Sequence, residues 1–337
     1  ALLTLLALVI ASITGFQEAW FIRHADPFLN TSDLDFRTHV SQRVLELRRD
    51  PPGSPQVIMF GRSSAHASVR SEESMNRRLA HLECRFHQFA HPGQNLTHVR
   101  SCMTALREVR SNIYLLTINP LYPSREYTRL SANYHTDDPY AFRSSAVDSM
   151  LCLTGAFVPP AVGSYFIDNI HYFAPRLLAL VQTPIGRPFM LQKENVFLGK
   201  GSVYANYLKN FGPKDSLEIV LNPEFPSLLQ ESAEQYLDLA RFAITNGQRI
   251  VFIVGPLNPD WIDDVLGPST MENFRTLCVQ PLLDAGHTVL DLNELARFRP
   301  EEFRDRSHLS SGEANDRAEE QIVILMETLL ASGDTAK

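Results

Sequence analysis

Short apolar runs alternate along this chain with longer segments whose apolar residues recur at helical spacing. The apolar runs predict five buried strands, at residues 57–60, 84–90, 112–118, 249–256 and 287–292. Amphipathic helices are predicted at residues 101–110, 236–244, 271–285 and 314–330. Because strands that alternate with helices form parallel sheets, the pattern predicts an α/β fold. We expect a three-layer α/β/α sandwich with a mostly parallel, doubly wound, five-stranded sheet.

The connection between the third and fourth predicted strands is unusually long. Residues 120–229 far exceed what a crossover between neighbouring strands requires. The segment is rich in proline and aromatic residues, so we interpret it as a large insertion. It either caps the carboxyl ends of the strands or offers a docking surface, and packing within the domain is the simpler alternative. No linker separates it, and residues 25–337 are predicted to form one domain.

The N-terminal segment has the pattern of a membrane anchor. Residues 1–17 carry no charge, and interface-type residues such as Trp20 precede Arg23. A helix over residues 1–15 would be about 22 Å long, short of the roughly 30 Å hydrocarbon core, so we expect part of the span to be missing. We interpret residues 1–24 as an uncleaved membrane anchor or its remnant. A cleaved signal peptide and a buried helix are the alternatives. Either membrane interpretation puts the remaining chain outside the cytoplasm, in the periplasm or extracellular space of the cell envelope.

Composition excludes several functional classes. The chain has 31 Lys and Arg against 38 Asp and Glu, giving a formal charge of -7, and lacks a long basic run, which argues against nucleic acid as a partner. Its 44% hydrophobic content excludes wholesale disorder. The four cysteines are too few for a disulfide scaffold. Histidines crowd the stretch between Cys84 and Cys102, but their spacing fits no common zinc pattern, and we predict no metal.

Polar residues follow the first three predicted strands, where an open parallel sheet places its reactive groups. Gly61 permits a tight turn after the first strand, and Ser63 comes two residues later. Gly93 follows the second strand and Asn119 the third. Near the C-terminus, Asp305-x-x-His308 immediately precedes a helix whose start has a capping-box pattern, Ser310-x-x-Glu313.

This set contains what acyl transfer through a serine requires. We predict Ser63 as the nucleophile, His308 as its general base and Asp305 as the acceptor that orients the imidazole. The N–H of Ser63, the N–H of Gly93 and the side-chain amide of Asn119 would form the oxyanion hole. Each residue also has a structural alternative, since Ser63 could cap a helix and Asn119-Pro120 is a common turn pair. We interpret His66 and His91 as bystanders.

The four blocks, in this order across residues 57–330, resemble the SGNH/GDSL serine hydrolase superfamily. Gly61-Arg62-Ser63-Ser64 is similar to the nucleophile block, Gly93 and Asn119 to the second and third blocks, and Asp305-x-x-His308 to the last. Arg62 stands where the family commonly has Asp, and Thr117 where it commonly has Gly. Ser64 would be the nucleophile if the turn were shifted by one residue.

The anchor, the Gly255-Pro256-Leu257-Asn258 segment and the closing R-D-R-S-H-L-S-S-G pattern resemble membrane-anchored members that act in alginate O-acetylation and teichoic-acid D-alanylation. The resemblance implies a serine esterase or O-acyltransferase without cofactor. Its substrate would be an acylated carbohydrate or cell-surface polymer, and a membrane-bound O-acyltransferase would be a candidate partner. The alternatives are a non-catalytic subunit of the same fold that binds a glycan or that partner, and a plain secreted lipase or esterase.

Overall fold

The computed structural model describes residues 43–48, 53–91, 96–109, 112–120 and 223–331, together with positions 40, 94, 148, 149, 152 and 167. The predicted anchor at residues 1–24 and most of the predicted insertion at residues 120–229 lie outside this part of the chain. Within it, no helix is both long and apolar enough to cross a membrane. All four cysteines are free.

The centre of the fold is one parallel sheet. Its strands are β1 (Gln56–Phe60), β2 (Arg85–Gln88), β3 (Asn112–Ile118), β4 (Arg249–Val254) and β5 (Val289–Asp291). They lie in the order β2-β1-β3-β4-β5, and every neighbouring pair is parallel. All residues of β1 and β3 are buried, which explains why the strands are continuous apolar runs rather than alternating patterns. The predicted doubly wound, five-stranded sheet is confirmed.

Helices cover the sheet and connect its strands. They are α1 (Ser63–Ser68), α2 (Glu72–Leu79), α3 (Leu96–Ala105), α4 (Phe225–Thr245), α5 (Pro259–Trp261), α6 (Gly267–Phe274), α7 (Gln280–Asp284), α8 (Leu292–Ala296) and α9 (Gly312–Ala331). Turns of 3-10 helix lie at Ala80–Leu82 and Pro300–Glu302, and π-helical turns at Ile262–Leu266 and Arg275–Val279 join α5 to α6 and α6 to α7.

The two faces of the sheet carry separate apolar cores, as a three-layer sandwich requires. Ile58 and Phe60 of β1 belong to the core that also contains residues of α3, α4, α6 and α7. Val57 and Met59 point to the other face, where the core includes residues of α1, α2, α8 and α9. Successive β1 residues therefore enter different cores because side chains alternate across a strand.

Some helix boundaries differ from the sequence-based expectation. The helix predicted at residues 236–244 begins at Phe225, inside the segment interpreted as an insertion. Phe225 and Leu229 are buried in the core, so packing against the sheet extends the helix upstream. The helix predicted at residues 101–110 is α3 and starts earlier, at Leu96. The last helix begins at Gly312, and the Ser310 hydroxyl donates to the carbonyl of Glu302 at 3.3 Å.

Candidate active site

The turn after β1 places Ser63 at the start of α1. Gly61 makes this possible because its φ of +149° lies in the region that favours glycine. A Cβ on Gly61 would lie 2.5 Å from the Cβ of Ala65 and 2.9 Å from the Cβ of Thr117. The chain leaves β1 toward β2, whereas β3 lies on the other side, so Ser63 stands where the order of the strands reverses. Such switch points form the crevices in which open α/β sheets bind ligands.

A tight turn between Pro300–Glu302 and α9 holds Asp305 and His308. Phe303 and Leu309 form an antiparallel bridge that closes the turn, and the Arg304 N–H donates to the carbonyl of His308 at 2.8 Å. Inside the turn, Asp305 Oδ1 accepts the N–H of Ser307 at 3.0 Å and of His308 at 3.1 Å. A side-chain oxygen that accepts the backbone N–H two residues later is typical of aspartate in turns. The turn therefore fixes the carboxylate next to the imidazole.

Ser63 meets Asp305 and His308, which lie far from it in sequence, in one line of hydrogen bonds. Ser63 Oγ lies 2.8 Å from His308 Nε2, and His308 Nδ1 lies 2.7 Å and 2.8 Å from the two carboxylate oxygens of Asp305. An ionised carboxylate can only accept, so His308 donates through Nδ1 and its Nε2 is left to accept the Ser63 hydroxyl proton. The side chains of His308 and Asp305 are 15% and 19% exposed. This is the arrangement in which histidine can remove a proton from serine.

The surroundings of Asp305 favour its charged form. Burial opposes ionisation and is the largest single influence on this carboxyl group. The hydrogen bond and charge of His308, with the two backbone N–H groups of the turn, together outweigh burial and lower the pKa of Asp305. Asp305 is therefore an anion at neutral pH and can accept the Nδ1 proton of His308.

Two of the three predicted oxyanion donors lie in the described part of the chain. Ser63 is the first residue of α1, and such N–H groups have no acceptor within their helix. Asn119 directly follows β3, the neighbour of β1, and is buried. Gly93 lies outside the described residues. The expected oxyanion hole therefore stays a prediction, with Ser63 and Asn119 at the ends of adjacent strands.

The two serines after Gly61 have different surroundings. Ser63 contacts His308, whereas the side chain of Ser64 is buried and its Oγ lies 4.0 Å from where a Cβ on Gly255 would be. The structure thus brings Ser63, and not the alternative nucleophile Ser64, into hydrogen-bond contact with the imidazole.

Arg62 and Thr117, the two positions that differ from the pattern of the superfamily expected from the sequence, have distinct structural settings. Arg62 occupies the N-cap position of α1 and provides no side-chain cap. Thr117 fills the space between two glycines, because a Cβ on Gly255 would lie 2.7 Å from its Cγ2 and one on Gly61 2.9 Å from its Cβ. Its buried Oγ1 has no hydrogen-bond partner among the described residues. Thr117 is therefore part of the packing beneath the Gly61 turn.

Two buried side-chain amides next to the site, those of Gln94 and Asn258, were not predicted from the sequence. Gln94 Oε1 accepts the N–H of Gly61 at 2.6 Å, and its Nε2 donates to the carbonyl of Phe89 at 2.9 Å. Asn258 contacts the turn that carries Asp305. Gln94 directly follows Gly93, and Asn258 lies within the Gly255–Asn258 segment. Both residues are therefore next to motifs that were identified in the sequence. Their roles depend on partners distant in sequence, the Gly61 N–H for Gln94 and the Asp305 carbonyl for Asn258, and could not be predicted from local sequence.

The histidine-rich stretch forms no metal site in the described part of the chain. His91 Nε2 lies 3.3 Å from His98 Nδ1, and His98 Nε2 lies 3.9 Å from Cys102 Sγ. The two ring nitrogens of His98 thus face two different side chains, those of His91 and Cys102. No group of three or more histidine, cysteine or acidic side chains is arranged to hold a metal among the residues described. Burial raises the pKa of the Cys102 thiol, which disfavours a thiolate ligand.

Comparison of the chain with protein-family models and with curated proteins finds no match.

Proposed function

We propose that this protein is a serine esterase or O-acyltransferase of the SGNH/GDSL type, with Ser63 as the nucleophile. The observation that carries the proposal is the hydrogen-bonded line from Ser63 through His308 to Asp305 at the switch point of the sheet. The arrangement supplies a nucleophile, a base and an orienting carboxylate, which is the minimum that serine acyl chemistry requires.

The reaction would proceed in two steps. His308 Nε2 takes the proton of the Ser63 hydroxyl as Oγ attacks the ester carbonyl, and a tetrahedral oxyanion forms. Collapse of this intermediate breaks the ester bond, and His308 returns the proton to the leaving alcohol, which leaves an acyl-serine. Water or a carbohydrate hydroxyl then attacks the acyl group, with His308 again as the base, and regenerates Ser63. Asp305 keeps Nδ1 protonated and stabilises the imidazolium.

The developing negative charge would be stabilised by donors that point to it. The N–H of Ser63, the N–H of Gly93 and the amide of Asn119 are the proposed oxyanion hole. Removing one such donor typically lowers turnover by about 10²- to 10³-fold. Water and a sugar hydroxyl are alternative acceptors, and which one reacts depends on access to the acyl-serine.

The proposed substrate is an acyl ester, most simply an acetyl ester, on a cell-envelope glycan or glycopolymer. This part rests on the resemblance of the Gly255–Asn258 segment and the closing Asp305–His308 block to members that modify surface polymers, and on the apolar pattern of residues 1–17. The protein would then be membrane-anchored with its catalytic domain outside the cytoplasm, and a membrane-bound O-acyltransferase would be its partner.

Labelling with a fluorophosphonate probe tests the proposed chemistry directly. Ser63 Oγ would attack phosphorus, fluoride would leave, and the hydroxyl proton would pass to His308. We expect labelling of the purified protein at the peptide that contains Ser63. Ser63→Ala should abolish labelling, and His308→Ala should reduce it by about 10³-fold or more.

Ser64→Ala is the matched control because it removes a neighbouring hydroxyl that does not contact His308. It should label at close to the wild-type rate, and mass spectrometry should still find the probe on Ser63. Failure of folded wild-type protein to react would contradict the proposal and favour the non-catalytic binding subunit. Labelling confirmed on Ser63 would justify assays with acetylated glycans as donors and acceptors.

A further inference from the structure

The Asp305–His308 turn needs a connection to the sheet, because its internal bonds do not fix its distance from Ser63. The Phe303 bridge to Leu309 and the Arg304 bond to His308 join the two ends of the turn to each other. Ser63 belongs to another segment, at the end of β1. A displacement of the whole turn would leave its internal bonds intact and still separate His308 Nε2 from Ser63 Oγ.

Asn258 makes this connection from the segment after β4. Its backbone N–H donates to the carbonyl of Arg306 at 2.9 Å, and its side-chain Nδ2 lies 3.3 Å from the carbonyl oxygen of Asp305 and 3.4 Å from that of Pro300. Its Oδ1 accepts the N–H of Asp260 at 3.0 Å and caps α5. Asn258 is completely buried, so these donors and acceptors have no water to replace their partners.

The segment that carries Asn258 is itself fixed to the end of β5. Asn293 Oδ1 accepts the N–H of Leu257 at 2.7 Å, and its Nδ2 donates to the carbonyl of Gly255 at 3.0 Å. The N–H of Asn293 donates to Asp291 Oδ1 at 2.9 Å. The Asn293 hydrogen bonds, the short backbone segment from Gly255 to Asn258 and the Asn258 hydrogen bonds thus connect the ends of β4 and β5 to the backbone of Asp305.

We propose that Asn258 is a positioning residue for the base of the proposed reaction: its amide holds the Asp305–His308 turn at the distance from which His308 reaches Ser63. This inference rests on the proposed function. Asn258 does not contact Ser63 or His308 in the bonds described above, so its effect is on the geometry of the turn and not on the binding of an ester. An error of about 1 Å in the position of a reacting group can cost about 100-fold in rate.

Asn258→Ser is the decisive variant. Serine can still cap α5 but is too short to reach the carbonyls of Asp305 and Pro300, and it adds no charge. Asn258→Asp is the second variant, because it keeps the size and the cap acceptor and loses the Nδ2 donor. We expect both to lower the maximal rate of fluorophosphonate labelling by about 10- to 100-fold. The probe concentration at half-maximal rate should stay within about twofold of the wild type, because the step affected is proton transfer to His308.

Asn112→Ser is the matched control. Asn112 is also buried, and its Nδ2 donates to the carbonyls of Leu106 and Val109 at 3.3 Å and 3.0 Å. It is the first residue of β3, at the amino ends of the strands, whereas Ser63 lies at their carboxyl ends. Asn112→Ser should lower the melting temperature about as much as Asn258→Ser and leave the labelling rate of the folded protein unchanged. A purely structural role for Asn258 would make the two variants alike in both measurements.

The outcomes separate this inference from the proposed function. Wild-type protein that does not label contradicts the proposed function. Wild-type protein that labels, with Asn258→Ser as fast as Asn112→Ser, contradicts the positioning role alone. The positioning role would also be overturned if both Asn258 variants failed to fold while Asn112→Ser folded, or if the slower labelling came only from weaker probe binding.

Discussion

Two carboxylates near the C-terminus accept hydrogen bonds in different parts of the molecule. Asp305 faces His308 and two backbone N–H groups of its own turn. Glu319 of α9 is fully buried and accepts hydrogen bonds from the Arg70 backbone, the Ser74 hydroxyl and the Arg78 guanidinium, at 2.7 to 2.9 Å. The first belongs to the candidate site, and the second holds α9 against α2.

Asp305→Asn should test whether Asp305 orients the His308 imidazole, because the substitution should leave folding nearly unchanged. The Asn oxygen can still accept the two backbone N–H groups, so the turn should persist, but an amide does not stabilise the imidazolium of His308. We expect the maximal labelling rate to fall by about 10³- to 10⁴-fold, with a melting temperature close to that of the wild type. A rate within tenfold of the wild type would show that Asp305 has no orienting role.

Glu319→Ala should be far more destabilising than Asp316→Ala, although both residues lie on α9 and pair with Arg78. Asp316 is 40% exposed and pairs with both Arg70 and Arg78, and the loss of each such exposed pair costs about 1 kcal/mol or less. Glu319 has no exposed side-chain surface, and its loss leaves buried donors unpaired, which costs about 3 to 5 kcal/mol. Urea unfolding of the two variants measures the difference, and equal free energies of unfolding would contradict it.

At the scale of elements, the side chain of Thr117 on β3 packs against the residues that follow β1 and β4. Its side chain occupies the space that a Cβ would need on either Gly61 or Gly255. Under the SGNH/GDSL resemblance expected from the sequence, position 117 would commonly be a glycine. The two glycines and Thr117 therefore have to be considered together, as a single packing unit under the turn that carries Ser63.

Gly255→Ala should be destabilising by about 1 to 3 kcal/mol, and Thr117→Ser should recover most of that loss. The new Cβ would lie 2.7 Å from Thr117 Cγ2, the methyl group that serine lacks. A double-mutant cycle by urea unfolding should give a coupling energy of about 1 kcal/mol or more, whereas additive effects would contradict the packing argument. Gly53→Ala is the control, since nothing lies within 4 Å of a Cβ there.

The elements were predictable to the extent that their signal is local. Strands β1, β3 and β4 are runs of apolar residues, so burial on both faces could be inferred from the sequence. The start of α4 could not be predicted from the sequence, because its first turns contain proline and serine and are stabilised by packing of Phe225 and Leu229. Boundaries that depend on tertiary contacts carry no comparable local pattern.

At the scale of the whole molecule, a buried histidine links folding to pH. His87 on β2 has no exposed side-chain surface, and its Nε2 donates to Gln56 Oε1 at 2.7 Å. Burial, reinforced by the positive charges of Arg43 and Arg85, lowers its pKa from 6.5 to about 3. Glu72 Oε1 is 3.8 Å from Nδ1, too far for a hydrogen bond that would favour the charged form.

The free energy of unfolding should decrease as the pH falls from about 6.5 toward 3, because unfolding lets His87 take up a proton that the folded state excludes. The slope due to one proton is at most about 1.4 kcal/mol per pH unit. His87→Gln keeps a donor for Gln56 and should flatten the dependence between pH 6 and 4.5, measured by urea unfolding at each pH. An unchanged slope would contradict neutral burial of His87.

The residues of the candidate site were named from the sequence, whereas their contact was decided by the fold. Gly61, Ser63, Asn119, Asp305 and His308 could be picked out because each follows a strand or precedes a helix and has a chemistry that stands out locally. Ser63 and His308 are 245 residues apart, and only the order of the parallel strands brings their segments together at the carboxyl ends of the strands.

The sequence by itself determined the class of fold, because apolar runs and helical spacing reflect burial within a few neighbouring residues. Tertiary structure decided which serine meets His308, how Thr117 fits between two glycines, and which buried amide holds the turn of Asp305. These features depend on distances between segments remote in the chain. Such distances are set by strand order and packing, and no local pattern of residues encodes them.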